Sequence, residues 1–305
     1  MGIRNAVGRP VIGSRYRVPG RVVGPEERTV KRHLTLVLVV VAALVLAGCN
    51  SGNQSSRPPS NSNSSEPGAS SLNRFSEQKQ ANATSELNQQ WASRTGHYDL
   101  ADGHGMAKMY IPALGRDNQF TIVEGTTQAD LAIGPGHYVD TALPGQPGDF
   151  AVAGDGVGQG TPFSDLDHLQ SCDAIVVETQ TDWFAYRVLP EKSEVAGWVN
   201  GKGKTAQCSG IDGEAIVQPP AGKYSQTVGQ EIVPRSESDV VAPVPHNPDI
   251  TLPSNQELAL MTMTTTSPRN SSASQLLVVH AVLVRDWTKD RSKSNQVPPE
   301  MTETS

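Results

Sequence analysis

Three cysteines and seven histidines are the side chains of this 305-residue chain best suited to nucleophilic, acid–base or metal chemistry. A cysteine acts as a nucleophile only as its thiolate, which needs a supporting environment. Cys172 stands just before an apolar strand pattern, after Leu166 and Leu169, and Cys208 lies in a Gly- and Lys-rich stretch. Neither placement suggests catalysis, and an oxidising compartment would permit the two to pair. His97, His104, His168, His246 and His280 are scattered, without HxxxH or HxH spacing, so the sequence predicts no metal and no cofactor. Gly134-Pro-Gly136, Gly154-Asp-Gly156 and Gly158-Gln-Gly160 are turn signals; none sits between a strand and a helix, as a phosphate cradle would.

The elements that must position these groups begin well into the chain. Residues 1–48 carry eight Lys or Arg against Glu26 and Glu27, a net of +6, so the remainder is −12 within a total of −6. The acidic remainder argues against a nucleic-acid partner, whereas basic residues ahead of an apolar run favour cytoplasmic retention of that end. The uncharged run from Leu34 to Ala47 would span only about 21 Å as a helix, short of the roughly 30 Å of a bilayer core. It suits the apolar core of a signal peptide, and Leu46-Ala47-Gly48-Cys49 resembles a bacterial lipobox, which implies acylation at Cys49. An uncleaved, short membrane anchor is the alternative. Either places the residues beyond Cys49 at the outer face of the cytoplasmic membrane.

Residues 50–95, rich in Ser, Asn, Gln, Pro and Gly, read as a disordered linker, with a short helix over 76–93 allowed by Ala83, Leu87 and Trp91. A folded domain is expected over 96–289 and a polar tail over 290–305. Within the domain, 106–111, 120–123, 150–153, 174–178, 183–189, 258–264 and 276–287 are short runs of Val, Ile, Leu, Thr and aromatic residues punctuated by Gly, Pro, Asn and Asp. No long helical period competes with them. The expectation is an all-β, closed or nearly closed domain, with 201–222 as an inserted loop.

The strings Leu131-Ala-Ile-Gly-Pro-Gly-His-Tyr138, Thr141-Ala-Leu-Pro-Gly145, Gly148-Asp-Phe-Ala-Val-Ala-Gly154 and Pro162-Phe-Ser-Asp-Leu-Asp-His-Leu169 resemble the sortases, in particular class E of high-GC Gram-positive bacteria. Met109 to Pro112, Val123 to Gly125 and the closing pair 260–265 and 276–280 agree in order and spacing. The resemblance implies an eight-stranded β-barrel with short helices and loops. It also implies cleavage of Leu-Pro-x-Thr-Gly or Leu-Ala-x-Thr-Gly sorting signals by a cysteine, with a histidine moving protons and an arginine stabilising the oxyanion.

Each of those three positions is substituted here: Asp155 stands for the histidine, Thr266 for the cysteine and Gln275 for the arginine. An internal threonine hydroxyl is a weak nucleophile without a base, a carboxylate donates protons poorly near pH 7, and an amide brings no charge to an oxyanion. The sequence therefore points to a pseudoenzyme: a surface sortase fold that binds sorting-signal peptides or cell-wall components, with His137, Tyr138, Asp155, Thr266 and Gln275 near its groove. The alternatives are an active transpeptidase with differently placed residues and a purely structural surface lipoprotein.

Overall fold

The computed structural model describes residues 69–93, 98, 100–156, 161–209, 216–266, 274–290, 292 and 297–303. The signal-like segment with Cys49 and the expected 50–68 portion of the linker lie outside these residues, as does His97. Among the described residues no helix is long and apolar enough to cross a membrane.

Helix α1 (Ala69–Ser93) precedes strands β1 (Gly105–Tyr110) and β2 (Gln119–Glu124), the single-turn α2 (Gln128–Leu131), and β3 (Gly136–His137) and β4 (Gly148–Gly154). Strands β5 (Ala174–Glu178), β6 (Asp182–Val188), β7 (Gln230–Pro234), β8 (Ala259–Thr266) and β9 (Gln275–Thr288) complete the order. The strands run β6-β5-β1-β2-β3-β4-β8-β9-β7 across one sheet, and β6 also pairs with β9. That extra pairing closes eight strands into a barrel and leaves β7 outside the ring. Strand β9 serves both: Gln275 to Val279 pair with β7 and Ala281 to Thr288 with β6 on one edge, while β8 occupies the other. The all-β expectation and the eight-stranded barrel both hold.

Period-two alternation sets the two faces of the β4/β8/β9 wall. Phe150, Val152, Met261, Met263, Leu277, Val279 and Ala281 point into one buried cluster with Ile175, Val177 and Tyr186, each large side chain contributing about 1.5–3 kcal/mol by leaving water. Leu260 belongs instead to a second cluster with Leu189, Trp198, Val217, Tyr224 and Val244, so the segment after β6 folds back over the outer face. Cys172 and Cys208 are buried in that second cluster and form a disulfide, with Cα atoms 5.2 Å apart. The loop over 201–222 is thus partly core: Trp198 Nε1 donates to the Val217 carbonyl at 2.9 Å across it.

Two segments flanking the strands also pack onto the domain. The linker of 50–95 gives way, over Ala69–Ser93, to a 25-residue helix. Its composition misleads because, among its described side chains, only Ala83 and Leu87 are buried; polar side chains do the docking. Gln80 Nε2 donates to the carbonyls of Thr121 (3.1 Å) and Ile133 (2.8 Å), Gln80 Oε1 accepts from Thr121 N (2.8 Å), and Thr84 bonds Thr121 Oγ1. The tail likewise docks. Glu303 takes the buried Arg187 guanidinium in a two-pronged bond at 2.6 and 2.7 Å, and Glu300, three residues earlier, is buried. Deleting one partner of a buried pair strands the other charge. Because Glu303 is a third exposed, water partly compensates, and E303A should cost about 2 kcal/mol. Urea midpoints of the two proteins measure this; equal midpoints would mean that the tail contributes no stability.

Candidate functional site

Strands β4 and β8 are parallel, with Gly154 opposite Thr265, so their C-terminal ends share one rim of the barrel. That register brings Asp155, the residue after β4, next to Thr266 at the end of β8. Both line a cavity of about 200 Å³ together with Tyr138, Arg235 and Leu276. The turn around Asp155 is tight. A Cβ at Gly154 would lie 2.4 Å from the Phe163 ring and one at Gly156 2.3 Å from Thr265 Oγ1, so glycine is required on both sides of Asp155 for this close approach. Tyr138 is fixed through its hydroxyl to Thr264 Oγ1 at 2.9 Å.

Of the residues named from the sequence, Tyr138, Asp155 and Thr266 line this cavity. Gln275 is not among its lining residues. It opens β9 opposite Pro234, whereas its neighbour Leu276 pairs with Thr266 and faces the cavity. The positive charge at the rim comes from Arg235, directly after β7, whose backbone N–H bonds the Ser274 carbonyl at 2.7 Å. Arg235 is exposed and makes no ion pair among the described residues. No motif marks it; only the β7–β9 pairing places it. For His137 the resemblance allows a structural or a groove-lining role, and it is not among the lining residues. It is 2 % exposed, with Nδ1 2.9 Å from Glu124 Oε2 and Nε2 within 3.1 Å of the Ala142 carbonyl and 3.0 Å of Thr141 Oγ1. Both ring nitrogens are used in pinning β3 and the turn after it. Neither described cysteine lines the cavity.

A second polar assembly crosses the outer face of the same wall. Thr262 Oγ1 donates to Asp149 Oδ1 at 2.9 Å and meets His280 Nδ1 at 2.8 Å; His280 Nε2 lies 3.1 Å from Glu231 Oε1, and His246 Nε2 2.6 Å from that same oxygen. Burial pushes the Asp149 carboxyl up to about 8, the Thr262 hydrogen bond opposing it. Burial likewise lowers the His280 imidazole below its ordinary value against the pull of Glu231. For Glu231, burial acts upward, but its bonds and charge interactions with His280 and His246 outweigh it and hold the carboxylate below the usual range. The sequence scatter of His246 and His280 hid this convergence.

Residues 109–284 match the Sortase domain. The chain belongs to the sortase family. It is 38 % identical to the SrtF sortase from Corynebacterium diphtheriae over a superposition that covers 68 % of this chain and 97 % of that one, at a TM-score of 0.56. It is 36 % identical over 118 residues to sortase SrtE1 of Streptomyces coelicolor, which is 36 % of this chain and 33 % of the relative. Sortase SrtE2 of the same organism is 31 % identical over 99 residues, 30 % of this chain and 39 % of the relative. The matched region thus spans between a third and two fifths of these two relatives. Within this sortase domain the rim presents a carboxylate, a secondary hydroxyl, a phenol and a guanidinium. Such a set can hold peptide amides and carbonyls by hydrogen bonds.

Proposed function

We propose that this chain is a cell-surface sortase-fold pseudoenzyme that binds sorting-signal peptides in the groove beside Thr266 and serves as an accessory module in attaching proteins to the cell wall or pilus. The observation that carries the reading is the pairing of a formed groove with a missing thiol: Asp155, Thr266 and Arg235 line the cavity, while Cys172 and Cys208 are tied to each other elsewhere. Thr266 is internal to the chain and next to a carboxylate with no histidine in the lining, so nothing there generates a strong nucleophile. Binding needs less. Shape, apolar walls and a few directed polar groups suffice for a peptide, and Arg235 offers charge-assisted bonds to its carbonyls. Acylation at Cys49, or retention of the apolar segment before it, would hold the domain at the outer membrane face.

The purified full-length chain should release no product from a fluorogenic Leu-Ala-x-Thr-Gly or Leu-Pro-x-Thr-Gly peptide, with or without an amine acceptor. The same peptides, labelled, should still bind, with R235A weakening binding by about tenfold, as expected for a lost charged hydrogen bond. Turnover that vanishes in T266A would establish an active enzyme instead. Absence of both turnover and binding would leave a structural surface protein.

A further inference from the structure

We infer that Glu231, His246 and His280 form a binding site for one divalent transition-metal ion of the zinc type on the outer face of the barrel. The three residues come from β7, the connection between β7 and β8, and β9, and their ligand atoms lie within 4.8 Å of one another. Glu231 Oε1 stands 2.6 Å from His246 Nε2 and 3.1 Å from His280 Nε2. Tetrahedral zinc with bonds of about 2.0–2.1 Å needs donor atoms about 3.3 Å apart, so the ion enters once the His280 pair opens by about 0.2 Å and the His246 pair by about 0.7 Å. One carboxylate oxygen shared by two imidazole nitrogens is the donor triangle such an ion would occupy.

The surrounding groups suit this use. A ligating histidine offers one nitrogen to the metal and donates the other N–H to an acceptor that fixes its tautomer. His280 Nδ1 faces Thr262 Oγ1, whose hydroxyl is directed at Asp149 Oδ1. Ring, hydroxyl and carboxylate thereby orient Nε2 toward Glu231. His246 Nδ1 is 3.6 Å from Glu237 Oε1, a carboxylate in the matching place for the second ring. Asp239 also lies within reach of His246, so the groups facing the site from the covering segment are acidic. His280 is wholly buried, whereas the His246 and Glu231 side chains are 11 % and 20 % exposed, which leaves an entry side and room for a water as fourth ligand. Two imidazoles and one carboxylate select zinc-like ions over calcium or magnesium, which take oxygen donors. An ion here would join β7, the covering segment and β9 four residues before Arg235.

The test uses the untagged, full-length, metal-depleted chain and zinc chloride alone. Calorimetry should show one equivalent bound by the wild type that is lost or weakened at least tenfold in both H246A and E231Q, with cobalt chloride giving visible absorption in the wild type and not in those two variants. Excess calcium should not displace the ion, and D239N should bind as the wild type does. E231Q preserves shape, so it keeps the test decisive should H246A fold poorly. Zinc binding by E231Q equal to that of the wild type overturns the site. So does loss in D239N without loss in E231Q, which would move the ion to the outer acidic cluster, and so does an absence of stoichiometric binding. Any contribution of Cys49 is common to all variants and cancels.

Discussion

Replacing Cys172 and Cys208 together by serine should lower the unfolding free energy by about 4 kcal/mol, the value for freeing a loop with a sequence separation of 36 residues. The effect arises mainly in the unfolded chain, where the cross-link removes conformations that the native state never visits. The native state suffers too, because both sulfurs are buried among Trp198, Val217 and Tyr224 and bind the covering segment to the barrel. Polar hydroxyls in that cluster would lack partners. Urea unfolding of the double variant against the wild type gives the number directly. Matching curves would mean that the covering segment is held by packing alone.

Asn in place of Asp149 should remove a steep pH dependence of stability. The Asp149 carboxyl is wholly buried and pushed up to about 8 from an ordinary 3.8, burial outweighing the Thr262 hydrogen bond. Between about pH 4 and pH 8 the native state therefore holds a proton that the unfolded state has lost. The stabilising contribution is fully present below pH 4 and declines by about 1.4 kcal/mol per unit as pH rises to 8, on the order of 5 kcal/mol in all. Above 8 both states are ionised and the slope ends. D149N cannot titrate, so urea-derived stabilities of the metal-free proteins should diverge in favour of the variant as pH rises. Contributions from Glu231, His246 and His280 enter both curves. Parallel curves from pH 4.5 to 8 would sink this account of Asp149.

The sequence made seven strands legible because each is a run of apolar, Thr and aromatic residues over at least four positions, bounded by turn residues. Strand β3 was not, since Gly136 and His137 are too few to show a period, and β7 was not, since Gln230-Glu-Ile-Val-Pro234 buries only Val233. Helix α1 was underestimated for a related reason: it docks through Gln80 and Thr84, and polar side chains that satisfy backbone groups leave no hydrophobic stripe to read. Asp155 and Thr266 were named through the family resemblance, and the parallel pairing of β4 with β8 puts both on the lining of one cavity. Arg235 and the triad of Glu231, His246 and His280 come from segments whose proximity depends on β7 lying beside β9. A missed strand therefore concealed both. Gln275 is one position from Leu276, which lines the cavity, and neighbouring positions of a strand face opposite sides.

Strand β9 gives half of one edge to β7 and the other half to β6, and this division sets the order in which the chain can be completed. The partners of the closing seam, Val188 and Ala281, are 93 residues apart, so at about 5–20 residues per second β6 is made roughly 5–19 s before its second neighbour exists. Through that interval β5 can cover one side of β6, but the other side, with Trp183, Ala185, Tyr186 and Val188, is an unpaired apolar border. Such borders are where nascent chains adhere to one another. Strand β4 waits longer still, since Gly148 pairs with Ala259 of β8, 111 residues later. Strands β4 and β6 are the ones a chaperone would have to shield, and truncation anywhere before residue 281 would leave a product prone to aggregate rather than a smaller stable barrel.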